Sequence, residues 1–231
     1  MNKKYLKNLE ILRKKIYSYK DISSDNIDKL LKVRKKLQKQ ETMNSKLCSI
    51  DKLKQWKYIN GKIKHSSNQF FSVEGVQVKN AKREVANWEQ VILNQPHGGI
   101  LALLVRETKK AGIEFLLHLR SEPGDKNIKF CPTFSATQSN MNQAHGGKKT
   151  DLSDVVIKQI GAEIIAISVH NEEGARFWQK KNENWLVFLK DPNNKKTKQD
   201  KFIWANIWQI KKLGLEDCLI NPFIKTILFM I

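Results

Sequence analysis

At 231 residues with 40% hydrophobic side chains, the chain suffices for one compact domain plus an appendage, or two small domains, and can bury a real core. Its formal charge of +19 comes mostly from lysine spread along the whole length beside many Asn and Ile residues, with no RNP-like strand, helix-turn-helix spacing or Cys/His finger, which argues against a nucleic-acid partner. Cys48, Cys131 and Cys218 show no C-x-x-C pairing, which excludes a disulfide framework and a thiolate metal site and fits a reducing compartment.

The first 45 residues read as a helical hairpin. Tyr5, Leu9, Leu12, Ile16 and Tyr19 fall at alternating spacings of four and three, one apolar stripe on a basic helix. A polar break through Lys20, Asp21, Ser23 and Ser24 follows, with Asp25 as N-cap of a second amphipathic helix carrying Ile27, Leu30, Leu31, Arg34 and Leu37. The pair packs on the main body or on a partner. From Trp56 the signal turns to strands. Strands are expected over 70–78, with Gly75 at a turn or bulge, over 99–106 and 113–119 as a hairpin, and over 130–138, 164–169 and 185–189. Helices are expected over 151–160, 174–180 and 202–213, the last closing the chain. Strands outnumber helices in the body, so the class is α+β with a mixed sheet. The apolar run 219–231 is too short for a bilayer and is interrupted by Asn221, Pro222 and Lys225. No apolar segment follows the lysine-rich start. The expectation is a soluble, cytoplasmic protein whose C-terminal run is buried by self-association.

Dinucleotide, P-loop, H-E-x-x-H and G-x-S-x-G motifs are absent, and His65, His97, His118, His145 and His170 lack metal-ligand spacing. What is present is polarity inside strands. His118 and Arg120 share a strand face, with Glu122 two residues on before the Pro123-Gly124 turn. Thr133, Ser135, Thr137 and Ser139 form a second such face. Such a face suits a pocket for a polyhydroxylated ligand, and equally a solvent-facing strand with Thr chosen for β-propensity.

Ordered motifs run on from Gly61, His65 and Phe70-Phe71-Ser72-Val73: Trp88-Glu89-Gln90, Gly99-Ile100-Leu101, Phe115-Leu116-Leu117, Glu122-Pro123-Gly124-Asp125, residues 132–140, and His145-Gly146-Gly147. Glu172-Glu173-Gly174-Ala175-Arg176-Phe177 and Phe202-Ile203-Trp204 complete them. Together, over residues 55–231, they resemble one repeat of the NDP-hexose 2,3-dehydratases. Departures stand at Asp125 (Asn in the family), Ser135 (Gln), Met141 (Tyr) and the run 221–226.

The resemblance implies a Nudix-like α+β scaffold without the Nudix metal-binding helix, two tandem repeats in the full-length protein, a homodimer, and dTDP-4-keto-6-deoxyglucose as substrate, dehydrated with no cofactor. On that footing Glu122 is the candidate base, its alternative being a turn residue paired with Arg120. His65 and His118 are candidate acids, or else satisfied core histidines. Arg106, Arg120 and Arg176 are candidates for the diphosphate. Trp88 and Phe134 are candidates for stacking on thymine, or for core packing. Gln90, Thr133, Thr137, Ser139 and Asn140 are candidate hydrogen-bonding partners. The competing reading is a single repeat that binds nucleotide sugar without turnover.

Overall fold

The computed structural model of the chain describes residues 2–19, 26–95, 97–143, 146–172, 174 and 176–231. The expected cap Asp25 and the break at 20–24, and His145, Glu173 and Ala175 of the motifs, lie outside the described residues.

Helix α1 (Lys3–Ser18) starts where the Asn2 side chain accepts the Lys4 N–H, and it buries Leu9, Leu12 and Ile16 of the expected stripe. Helix α2 (Asp28–Gln40) buries Leu30, with Ile27 buried just before it. Both helices lie on the chain's own body: Leu9, Leu12 and Leu30 share one core with Leu103, Phe115 and Leu117. Asn8 donates to the Ile165 carbonyl at 3.0 Å and Arg34 to the Ile128 carbonyl at 2.7 Å.

Two sheets follow. The first is antiparallel, in the order β1 (Trp56–Ile59), β2 (Lys62–His65), β3 (Ser72–Val78) and β4 (Trp88–Asn94). The second has β5 (Gly99–Thr108), β6 (Gly112–Arg120), β7 (Lys129–Cys131), β8 (Phe134–Thr137), β9 (Ala162–Asn171), β10 (Lys181–Leu189) and β11 (Phe202–Ala205). Its order is β11-β6-β5-β10-β9, with β10 parallel to β5 and the other pairings antiparallel. This is the expected α+β mixed sheet with flanking helices. Strand β5 is a continuous apolar run because both of its faces are covered. On one side lie α1, α2, α5 (Ile207–Leu213) and α6 (Phe223–Leu228); on the other, Phe134, Leu152 and α4 (Ser153–Val156).

Five local expectations are corrected. The strand over 130–138 is two strands, because Pro132 has no N–H to continue a ladder. The chain crosses there from pairing β6 (through β7) to pairing β5 (through β8), and Ser139 lies in the short helix α3 (Gln138–Met141), off the expected strand face. The helix over 151–160 shrinks to α4. In the stretch read as a helix over 174–180, Phe177 bridges Leu93 of β4 instead. The helix over 202–213 is strand β11 followed by α5, divided at Asn206, which with Gln209 forms a capping box. The C-terminal run is absorbed by the chain's own core through α6: Ile224 and Ile227 are fully buried, while Phe229 stays 80% exposed. No helix among the described residues is long and apolar enough to cross a membrane.

Candidate functional site

The polar face of β6 is the place where the chain departs from a simple core. Leu117 and Leu119 point into the helix-covered side, while Leu116, His118 and Arg120 alternate onto the other. Sheet register fixes their neighbours: His118 lies opposite Cys131 of β7 and Phe202 of β11, and Arg120 opposite Lys129. The His118 and Phe202 rings sit 4.5 Å apart. Burial pushes the His118 imidazole down to about 4, with the positive charges of Arg120 and Lys201 adding to the effect and Asp151 opposing it. At neutral pH His118 is therefore uncharged, a hydrogen-bond donor or a proton acceptor, and not a cationic acid. Burial likewise pushes the Cys131 thiol up to about 11, so it stays protonated and unreactive.

Arg120 donates through Nη2 to Glu122 Oε1 at 2.7 Å, each side chain about a third exposed. The ion-pair reading of Glu122 is thus present, and it engages one carboxylate oxygen. The Nε of Arg120 is buried without a nitrogen or oxygen partner among the described residues, and the guanidinium's other polar neighbour is the buried Cys131 thiol, a weak acceptor. A buried guanidinium N–H with so weak a partner is rare enough to want a reason. Two groups had no local signal in the sequence: Lys201 and Asp151, which pair with each other beside His118 because β11 lies against β6.

The other expected residues fall into separate groups. Thr137 and Ser139 are joined at 2.9 Å at the end of β8, and Thr137 also accepts the Asn140 N–H to cap α3. Thr137 faces Gly99, the first residue of β5. Here Gly98 and Gly99 are required sterically: a Cβ on Gly98 would stand 1.8 Å from the Lys181 carbonyl oxygen, and one on Gly99 2.8 Å from that of Ala136. Close by, Asn182 accepts the Gly99 N–H and donates to Glu172, whose carboxylate also holds Lys180 at 2.9 Å in a buried ion pair. Sequence reading missed that trio.

Trp88 and Gln90 lie on β4, joined Nε1 to Oε1 at 2.9 Å. His65 sits across the same sheet, held by Ser67 at 2.8 Å and Gln55 at 2.7 Å and flanked by Trp56 and Phe70. Arg176 is exposed, and its carbonyl accepts the Leu93 N–H.

Three expected ligand residues already have partners within the protein. Thr133 is 1% exposed, its hydroxyl accepting the Leu104 N–H and donating to the Leu116 carbonyl, so it substitutes for a ladder rung where β5 and β6 diverge. Phe134 is a core ring at 1% exposed and offers no face to thymine. Arg106 is neutralised by Glu114 at 2.8 Å and lies 4.1 Å over the Trp204 ring. It stands seven residues along β5 from Gly99, about 23 Å at strand rise, so it does not join the Thr137 group.

Among the described residues no three of His, Cys, Asp and Glu converge as a metal site. The fold and this cluster together define an α+β scaffold carrying a carboxylate, a neutral imidazole and a buried guanidinium on one face of β6 and the turn that follows it. The family model for NDP-hexose 2,3-dehydratase matches residues 27–231, and the chain belongs to that family. It is 30% identical over 181 residues to a dTDP-4-dehydro-6-deoxy-alpha-D-glucopyranose 2,3-dehydratase of Saccharopolyspora spinosa, covering 77% of this chain and 36% of that protein. A namesake from Amycolatopsis orientalis is 31% identical, covering 76% and 38%. The chain therefore spans little more than a third of the length of these curated relatives. Among solved structures, it is similar to a C. elegans Ap4A hydrolase (TM-score 0.38, 14% identity, 59% of this chain and 96% of that one) and to the Nudix hydrolase RenU of M. smegmatis (TM-score 0.37, 12% identity, 65% and 92%).

Proposed function

We propose that the chain is a cytoplasmic dehydratase that eliminates water across C2–C3 of dTDP-4-keto-6-deoxyglucose in deoxysugar biosynthesis. The single observation that carries this reading, beyond family membership, is the convergence of the buried Arg120 guanidinium, neutral His118 and the Glu122 carboxylate on one face of β6 and the turn after it.

The chemistry asks for little. The 4-keto group acidifies the C3 hydrogen, so a carboxylate can remove it, and Glu122 takes this role through Oε2. Negative charge then builds on the C4 oxygen. Arg120 and the N–H of neutral His118 are the donors that receive it, and preorganised donors of this kind lower such barriers more than any other single device. The C2 hydroxyl leaves as water with the proton that Glu122 has taken, and the resulting enol tautomerises to the 3,4-diketo sugar. Carbon is neither oxidised nor reduced overall, so the balance needs no redox partner. Thr137, Ser139 and Asn140 serve the sugar hydroxyls, and Trp88, Gln90 and Arg176 serve the nucleotide and its diphosphate. His65 is held in the four-stranded sheet, outside the β6 cluster.

Glu122→Gln keeps the shape and removes the base. The expected outcome is loss of turnover, by at least about a hundredfold, with dTDP-sugar binding retained by calorimetry. Unchanged turnover would move the base elsewhere. Wild-type chain that binds dTDP-sugar without turning it over would instead establish the binding-only reading.

A further inference from the structure

Strands β5 and β6 pair only near their turn, from Val105 opposite Phe115 to Thr108 opposite Gly112. Continued, that register would set Leu104 opposite Leu116, Ala102 opposite His118 and Ile100 opposite Arg120. Instead the strands part. Phe134 and Ala136 of β8 stand opposite Ala102 and Ile100, while Cys131 and Lys129 of β7 stand opposite His118 and Arg120. Strands β7 and β8 are thus the two arms of a wedge between β6 and β5, with Pro132-Thr133 at its tip. Residues 130–134 are all buried. At the tip the Leu104 N–H donates to the Thr133 hydroxyl at 2.9 Å, and that hydroxyl donates to the Leu116 carbonyl. One O–H therefore occupies the rung that would otherwise join Leu104 directly to Leu116.

We propose that Thr133 is a positioning residue of the dehydration site, its hydroxyl fixing the point at which β5 and β6 part. The inference rests on the dehydratase reading and extends it to a residue that touches no substrate. Both polar groups assigned to the reaction hang from this wedge. One arm, β7, is the neighbour of His118 and Arg120; the other, β8, ends at Thr137, which is joined to Ser139 and Asn140. A hydroxyl suits the tip because it accepts and donates at once, so it satisfies a buried N–H and a buried C=O together. An apolar side chain of the same shape would leave both unpaired, which is costly in a core. The direct repair is to close the rung and drive the tip out. Closure would carry His118 from Cys131 toward Ala102, and Arg120 from Lys129 toward Ile100. Both would then leave the places from which they serve the C4 oxygen.

The test compares Thr133→Val, which keeps the shape, with Thr133→Ser, which keeps the hydroxyl, both in the full chain and checked for folding by circular dichroism. Two readouts are taken: kcat with dTDP-4-keto-6-deoxyglucose, and the cross-strand nuclear Overhauser contact between His118 and Cys131. Thr133→Val is expected to lower kcat by about a hundredfold, the scale of an ångström-sized misplacement, and to lose the contact. Thr133→Ser is expected to restore both. Should Thr133→Val fail to fold, Thr133→Cys takes its place, because a thiol donates and accepts only weakly, and the same losses are expected. Wild-type kcat in the folded Val or Cys variant overturns the proposal. So does a fall in kcat with the contact intact, or a Ser variant as impaired as the Val variant. Those failures leave the dehydratase reading standing, whereas a wild-type chain without turnover overturns that reading and takes the proposal with it.

Discussion

The seven-stranded and four-stranded sheets are built from the same chain under opposite conditions. In the first, β5 and β6 are apolar runs with both faces covered, and Leu103, Phe115 and Leu117 have no exposed surface. In the second, strands of similar β-propensity bury nothing, and their order rests on ladders, on the Lys62–Glu74–Asn94 bonding and on aromatic contacts such as Trp56 with Phe71 at 4.8 Å. Hydrogen bonds of this kind each contribute about 1 kcal/mol net, whereas a buried phenylalanine contributes several times that. The folding stability of the isolated chain is therefore concentrated in the large sheet, which also carries the β6 cluster.

The largest expected contrast follows directly. Phe130→Ala, in the large sheet, removes a ring with no exposed surface and should cost about 3–5 kcal/mol. Val91→Ala, in the small one, should change stability by less than about 0.5 kcal/mol in dilute solution. Urea denaturation of the two variants checks the ranking, and comparable losses would break the comparison.

Acid sharpens it next. His118 takes up a proton only near 4 when folded but near its ordinary 6.5 when unfolded, so protons pull toward the unfolded chain. Its contribution is fully present above pH 6.5 and is lost as the pH falls toward 4. The total is on the order of 3 kcal/mol. His118→Gln should flatten that part of the stability curve, and an equally steep curve in the variant would place the acid sensitivity elsewhere.

Glycine gives a smaller, signed contrast. Gly98→Ala drives a methyl into the Lys181 carbonyl and should cost about 1–3 kcal/mol. Gly75→Ala, in the middle of β3, meets nothing within 4 Å and should be neutral or stabilising by up to about 1 kcal/mol. Melting temperatures moving in opposite directions are the expected readout.

The sequence made the large sheet legible because long apolar runs bounded by turns survive any tertiary context; the hairpin of β5 and β6 is the clear case. Residues 202–213 were misread because Phe202, Ile203, Ile207 and Ile210 also fit a helical stripe, although the Asn206 and Gln209 capping-box signal was there to divide them. The stretch 130–138 was taken as one strand because alternation was weighed above Pro132. In the site, the local trio His118, Arg120 and Glu122 could be read from spacing two residues apart. Lys201, Asp151 and Cys131 could not, since sheet pairing across long separations brings them there. The internal partners of Thr133, Phe134 and Arg106 were hidden for a related reason: residue type shows what a side chain can bond, but not which neighbour the fold brings to it.

The central claim is that the β6 cluster removes the C3 proton of a 4-keto sugar. Proton NMR of dTDP-4-keto-6-deoxyglucose in deuterium oxide, with catalytic amounts of the chain, tests it most directly. Deprotonation at C3 is visible there as deuterium uptake even where elimination is slow. The account predicts loss of the C3 signal, by exchange or by dehydration, with wild-type protein, and loss at the buffer rate with Glu122→Gln. A wild-type chain that binds the sugar yet leaves C3 exchanging at the buffer rate would contradict it.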